Sequence, residues 1–433
     1  VTVFVSSLHD GPQAPGLAEV LSGSLGVGEV RRLVLDPWRH GLATALSHAV
    51  PTHRVGSVEI LRSNFKPGRR LRAYYLLHTV GAPVHLAVTW HLEPHGADGE
   101  HISVLAFPLD PDIPQLARLS DPVHLAEVVG HLTSSPPLLH DVLRIRTVRY
   151  RPGQRHVLRA TAGTLRGGVV VKTDREGSGE VAVRVAAELH RTLGTRSPRV
   201  APVEPLGWVP GDRAALWRLA EGLPLSRRLA DPGRDSTPHL ELVGRALRLV
   251  HDDVGAAERL RQVLPLTEPG GELAATLRAA EHLQTLLPSV SHSLHDIVRA
   301  SAAALASLPP GSPTLVHGDL KADNLLAGRQ LHLLDLDRAA LGDPAVDLAK
   351  LVADLHWWSP APTTTGPAGL VAALRRGYGP AAEDRWARAE ALVPVFMLRF
   401  AARRCPVHEP SWTNRVRAQV AAAARATLSG AAS

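Results

Sequence analysis

His317-Gly318-Asp319-Leu320-Lys321-Ala322-Asp323-Asn324, with Asp335 eleven residues further on, is the stretch that decides how this chain is read. It places a carboxylate, a lysine and two oxygen-donor side chains within nineteen residues. Phosphoryl transfer asks little more of a protein. A carboxylate orients the attacking hydroxyl, and Asn and Asp oxygens hold Mg²⁺ against nucleotide phosphates. On that chemistry Asp319 is the candidate base, Lys321 a candidate for neutralising the transferred group, and Asn324 and Asp335 the candidate metal ligands.

The flanking residues support a shared cation. Leu325-Leu326 and Leu331 to Leu334 are short apolar runs, and Ala327-Gly328-Arg329-Gln330 between them reads as a hairpin turn. Asn324 then lies opposite residue 333 or 334, and Asp335 is one or two residues further, roughly 3–7 Å at the strand rise.

Val316-His317-Gly318-Asp319, Asn324, Asp335-Leu336-Asp337 and Gly342-Asp343-Pro344-Ala345-Val346-Asp347-Leu348-Ala349 together resemble the aminoglycoside/choline-type phosphotransferase family. These are small-molecule kinases with a protein-kinase-like fold. The resemblance covers about residues 140–433. Gly318, where protein kinases carry Arg, favours the small-molecule branch. The resemblance implies an α+β, bilobal fold with a small antiparallel β-sheet N-lobe and a mostly helical C-lobe. It implies ATP (or GTP) and Mg²⁺ between the lobes. The acceptor is expected to be the hydroxyl of an amino sugar or aminoglycoside, a sugar, a nucleoside or an amino alcohol. Antibiotic-modifying and sugar kinases both fit. By the same resemblance His317, Asp343 and Asp347 support the loop.

Lysine usage adds to this reading. There are four lysines, Lys66, Lys172, Lys321 and Lys350, against forty-four arginines. A retained Lys invites a reason, since its compact ammonium reaches phosphate as a point charge. Lys172 ends the apolar run Val169-Val170-Val171 and matches the family's strand lysine on the α/β-phosphates. Before it, Val142–Tyr150 and His156–Ala160 read as strands around the turn Arg151-Pro152-Gly153-Gln154-Arg155. No G-x-G-x-x-G is present, so Arg155 and turn amides are the candidates for covering the phosphates.

A helix is expected over Gly179–Leu193, ended by Gly194. Val181, Val185 and Leu189 form its apolar stripe, and Glu188 falls on the same face. A carboxylate facing a core needs a partner, and Lys172 is the expected one. Glu180 is the rival, although the helix dipole alone explains its place. Trp217 to Gly222, including Leu219 and Glu221, is the candidate hinge whose backbone reads the purine. Asp337, Trp357 and Trp358 are acceptor-site candidates, with Asp354 and Glu409 also available as acidic walls for a cationic acceptor.

Residues 1–137 lie outside the kinase pattern and are expected to form an α/β cap, followed by the N-lobe over 138–222 and the C-lobe over 223–433, with Ser134-Ser135-Pro136-Pro137 as linker. The cap carries an internal echo. Val58 to Arg72 resembles Val142 to His156, each reading strand, [Lys/Arg]-Pro-Gly-x-Arg turn, strand. His85 to Val88 parallels Val169 to Val171, so Thr89 stands where Lys172 does. This predicts a duplicated sheet without its phosphate lysine.

Composition sets outer limits. A chain of 433 residues, 45% hydrophobic, supports two or three domains with sizeable cores. No run of eighteen apolar residues suggests a membrane span, and Val1 to Ser7 lacks a basic n-region, so a cytoplasmic protein is expected. The single Cys405 excludes an internal disulfide. The net charge of +7 is scattered Arg without a basic run, which argues against nucleic-acid binding. Two rivals remain. One is a nucleotide-binding pseudokinase or regulatory module, motivated by the missing Gly-rich loop. The other, a protein kinase, is opposed by Gly318 and the lack of an Ala-Pro-Glu segment.

Overall fold

A computed structural model describes residues 2–4, 16–36, 55–79, 83–95, 100–133, 143–163, 167–194, 196–197, 199–359, 366–379 and 382–430. The expected linker Ser134–Pro137 lies outside the described residues. The architecture is α+β and bilobal, with an additional N-terminal sheet.

The N-terminal sheet is antiparallel, in the order β1 (Thr2–Phe4), β2 (Val55–Lys66), β3 (Arg70–Thr79), β4 (Val84–His95) and β5 (Glu100–Ala106). Alternation along β3 buries Leu71, Ala73, Tyr75 and Leu77 on one face, as period-2 patterning requires. That face packs on the helices Leu17–Ser22 and Val27–Leu35, where the Tyr75 hydroxyl donates to the Val34 carbonyl at 3.0 Å.

The second sheet contains β6 (Arg144–Arg151), β7 (Arg155–Thr161) and β8 (Val169–Asp174). After the short β9 (Val200–Pro202) come β10 (Pro205–Val209) and β11 (Ala214–Arg218). Its order is β10-β11-β8-β7-β6, leaving β6 at the edge.

The three-strand units β2–β4 and β6–β8 of the two sheets share a register. Arg72 pairs with Thr89 in the first sheet and Val157 with Lys172 in the second, so Thr89 and Lys172 occupy equivalent positions. Gly68 and Gly153 both have φ 67°, the left-handed turn geometry that favours glycine. The turn bonds match as well. Arg69 N donates to Lys66 O and Gln154 N to Arg151 O, both at 3.0 Å. Leu92 N to Arg69 O and Arg175 N to Gln154 O are both 2.9 Å.

The helix Gly179–Leu193 crosses the second sheet and buries Val185 and Leu189, as its stripe predicts. β12 (Leu223–Pro224) leads into a helical lobe that holds β13 (Thr314–Val316), β14 (Leu325–Ala327), β15 (Leu331–Leu333) and β16 (Ala340–Gly342). Its core lies mainly between the long helices Thr237–His251, Ala345–Trp358, Gly366–Tyr378, Glu383–Arg403 and Trp412–Gly430. No helix among the described residues is long and apolar enough to cross a membrane.

The N-terminal segment touches both lobes. Arg72 Nη1 donates to Pro152 O at 3.3 Å, and Asp110 accepts from Gly153 N at 2.7 Å and from the Tyr150 hydroxyl at 2.9 Å. On the helical lobe, Ser63 Oγ and His408 Nδ1 lie 2.7 Å apart, and Arg31 Nε donates to His408 O at 3.3 Å.

Candidate active site

Two structural devices set the loop 317–324. Gly318 has φ 74°, and a side chain there would collide with the Arg338 carbonyl, so glycine is required on two counts. Asp347, fully buried, accepts from His317 N at 2.6 Å and Gly318 N at 2.9 Å. Burial pushes its carboxyl pKa up, but hydrogen bonding to His251, the charge of His251 and His317 and the His317 amide hold it below the ordinary value. His317 Nε2 lies 2.8 Å from the Leu334 carbonyl, tying the loop to the hairpin.

The hairpin pairs as expected. Leu325 faces Leu333, and Leu334 N donates to Asn324 O at 2.8 Å. Asn324 Nδ2 donates to the Asp319 carbonyl at 2.9 Å, and its Oδ1 takes part in no hydrogen bond among the described residues. Asp335 follows in a left-handed conformation, φ 60°, a strained geometry for a non-glycine residue.

Lys172 Nζ donates to Asp335 Oδ1 at 2.5 Å and also binds Asp337. Arg155 Nη1 reaches both carboxylates, at 3.3 and 3.2 Å. Burial raises the Asp335 pKa, but Lys172 and then Arg155 outweigh it and hold the carboxyl far below the ordinary range. Its neighbour Asp337 is raised, chiefly by burial and by the Asp335 charge, with Lys172 opposing. Two half-buried carboxylates thus share one ammonium.

This arrangement corrects two expectations. Glu188 does not meet Lys172. It is buried, but it turns to Arg259, whose Nη2 and Nε lie 2.5 and 2.9 Å away, and to Arg191. Its rival Glu180 pairs with Arg184 at 2.7 Å on the surface. The stripe correctly buried Glu188, but the partner came from the helix Val254–Leu260, which sequence spacing does not place. Asp337, expected in the acceptor wall, stands beside Asp335.

The other acceptor candidates are also differently engaged. Trp357 is 6% exposed. The Arg415 guanidinium lies 4.3 Å from its ring centroid and 5.2 Å from that of Trp358, and Arg404 covers the same two rings at 5.3 and 5.5 Å. Asp354 is fully buried, accepting from Ala322 N at 2.6 Å and Arg404 Nη2 at 2.5 Å. Asp343, expected to support the loop, instead accepts from Ala345 N at 2.9 Å at the start of the following helix and pairs with Arg388 Nε at 2.8 Å. The segment of Trp217, Leu219 and Glu221 links β11 to β12, with Leu219 N bonded to Gly168 O at 3.0 Å.

Lys321 Nζ donates to Asp319 Oδ2 at 2.5 Å. Sequence reasoning assigned nothing to Lys350 beyond its rarity. Its Nζ bonds Gly318 O at 2.5 Å and Glu272 Oε1 at 2.6 Å, and burial lowers its pKa to about 8. Asp110 was also missed, because nothing in its local sequence marks a residue that bolts a distant turn.

The oxygen set suits a hard divalent cation. Asp337 Oδ1 is buried without a hydrogen-bond partner, Asn324 Oδ1 is unengaged, and the Lys172 ammonium already stands as the positive charge between Asp335 and Asp337. Among the described residues no three His, Cys, Asp or Glu side chains cluster to hold a metal alone. Such a site needs phosphate oxygens to complete it, as magnesium–nucleotide sites do.

A family model described as the phosphotransferase enzyme family matches residues 146–392. That span exceeds half of the chain, and the chain belongs to this family. Among solved structures it is similar to the choline/ethanolamine kinase family protein from Mesorhizobium loti, at 18% identity, 70% of this chain, 98% of that chain and TM-score 0.46. It is also similar to macrolide 2'-phosphotransferase from Brachybacterium faecium, at 19%, 69%, 97% and 0.41. A third is the GDP complex of aminoglycoside 2'-phosphotransferase-IIIa, at 14%, 70%, 98% and 0.48. The assignment rests on the family match. No curated protein matches the chain.

Proposed function

We propose that the protein transfers the γ-phosphate of ATP (or GTP) to a hydroxyl of a small molecule. The reading is carried by one observation: Lys172 on the sheet and Asp335 on the helical lobe meet at 2.5 Å, and the hairpin that ends in Asp335 is tied to the loop of Asp319 by the 2.8 Å contact of His317 Nε2 with the Leu334 carbonyl. Lys172 and Arg155 contact the nucleotide phosphates, Trp217, Leu219 and Glu221 flank the base, and residues 138–222 and 223–433 act as the two lobes. Asn324, Asp335 and Asp337 would hold Mg²⁺, which when bound neutralises phosphate charge. Asp319 orients the acceptor hydroxyl and takes its proton, while Lys321, bonded to Asp319 at 2.5 Å, offsets the charge that develops. His317 and Asp347 hold the loop through backbone contacts.

The test is nucleoside-diphosphate release across a panel of hydroxyl compounds, with Asp335→Ala as control. Acceptor-stimulated release lost in the variant supports the reading. Tight nucleotide binding without turnover on every acceptor favours a regulatory nucleotide-binding module.

A further inference from the structure

The sequence left cationic acceptors open, because Asp337, Asp354 and Glu409 could wall them. The folded chain removes most of that wall. Asp337 is committed to Lys172 and Arg155, and Asp354 is sealed beneath Ala322 and Arg404. A quaternary ammonium is held well by open aromatic faces. Those of Trp357 and Trp358 already carry Arg404 and Arg415.

What surrounds Asp319 is basic. Arg338 follows Asp337 directly, and its backbone lies against Gly318, beside Asp319. Arg403 ends the helix Glu383–Arg403, whose preceding turn places Arg399 on Glu272. Glu272 in turn holds Lys350, which bonds Gly318 O. The next residue, Arg404, grips Asp354 under the loop. The end of this helix therefore borders the loop. Two nearby carboxylates are ion-paired, Asp319 with Lys321 and Glu272 with Lys350 and Arg399, and Asp323 accepts from the Ser226 hydroxyl. Arg338 and Arg403 are exposed and have no carboxylate partner among the described residues. Surrounding protein partly desolvates the Arg403 guanidinium, with Asp319 drawing its charge and Arg338 opposing it.

We propose that the acceptor carries an anionic group, a phosphate or a carboxylate, as well as its hydroxyl, and that Arg338 and Arg403 hold that group beside Asp319. This rests on the phosphotransfer reading for the place of the reacting hydroxyl. In the step, the hydroxyl oxygen bonds the γ-phosphorus, the bond to the diphosphate leaving group breaks, and the hydroxyl proton passes to Asp319. Guanidinium forks suit both oxyanions.

The experiment has two arms. In turnover, hexose phosphates and hexonic or hexuronic acids are compared with the parent neutral hexose, amino sugars and choline. An anionic acceptor is expected to exceed its neutral parent by about tenfold or more in kcat/KM, the worth of one charge-assisted hydrogen bond. Arg338→Ala and Arg403→Ala should each raise its KM about 10–100-fold on the same basis, with the nucleotide KM little changed and Arg403→Lys partly restoring it. The phosphate and carboxylate members separate the two sources. In the second arm, calorimetry measures the same compounds on protein saturated with Mg²⁺ and a non-hydrolysable ATP analogue. Anion binding lost in the two variants supports the inference even without turnover, a result that would sink only the phosphotransfer reading. Preference for neutral or cationic acceptors, unchanged KM in both variants, or neither binding nor turnover of any anionic compound overturns it. Both side chains are exposed, so melting curves check that the variants fold.

Discussion

Lys172 Nζ donates to Asp335 Oδ1 at 2.5 Å, so the sheet's lysine and the hairpin's aspartate close on each other across the cleft. Asp337 shares the same ammonium. One lysine thus offsets two half-buried carboxylates that otherwise repel. Lys172→Ala should lower kcat/KM by about 10²-fold or more, as losing a phosphate contact and its charge would. The same variant should gain more thermal stability from Mg²⁺ than wild type does, because the metal replaces the missing ammonium. Melting curves with and without Mg²⁺ check this, and an equal response in both proteins would count against the shared cation.

Asp319→Ala is expected to lose about 10²–10⁴ in kcat, the usual worth of a positioned base. Nucleotide affinity should hold, since Asp319 contacts Lys321 and not Lys172. Single-turnover rates beside nucleotide binding measure the two quantities, and near-normal turnover would remove Asp319 from the mechanism.

Glu188 ties the helix Gly179–Leu193 to Arg259 of the helix Val254–Leu260. Glu188→Gln should therefore lower Tm and leave the nucleotide KM within about twofold, because no bond to Lys172 is lost. A large rise in nucleotide KM at unchanged Tm would restore the pairing that the sequence suggested.

Asp110 accepts the Gly153 amide and the Tyr150 hydroxyl from behind the turn that carries Arg155. Asp110→Ala removes the acceptor of these two donors and of the Asp112 amide, a loss of about 1–3 kcal/mol. It should raise the nucleotide KM more than it lowers kcat, and Asp110→Asn, which keeps one acceptor oxygen, should recover part. Equal kinetics for Asp110→Ala and wild type would show that the cap does not steady the turn.

Acid should loosen the loop through Asp347. Its folded pKa lies below the ordinary carboxyl value. As pH falls, the unfolded chain takes up this proton first. The stabilisation is thus complete above about pH 4 and disappears as pH falls through the folded value. Denaturation midpoints across that window should drop less steeply in Asp347→Asn than in wild type. Identical slopes would assign acid loss to other carboxylates.

The parts of the site legible in the sequence were those set by short-range geometry. The hairpin after Asn324, the stripe that buried Glu188, and the register that sets Thr89 against Lys172 all follow from periods of 2 or 3.6. What the sequence could not place was which distant chain meets a buried charge. Arg259 lies seventy-one residues from Glu188, and Arg404 fifty from Asp354. The acidic wall expected from Asp337 and Asp354 failed for that reason: each carboxylate had a basic partner supplied from elsewhere in the fold. Trp357 and Trp358 were expected to line the acceptor site, but spacing gives no warning that two arginines cover them.

The most direct test of the account is a structure with Mg²⁺ and a non-hydrolysable ATP analogue bound. Lys172 is predicted to leave the carboxylates for the α/β-phosphates, with the metal held instead by Asp335, Asp337 and Asn324. A metal bound elsewhere, with Lys172 still held between Asp335 and Asp337, would contradict it.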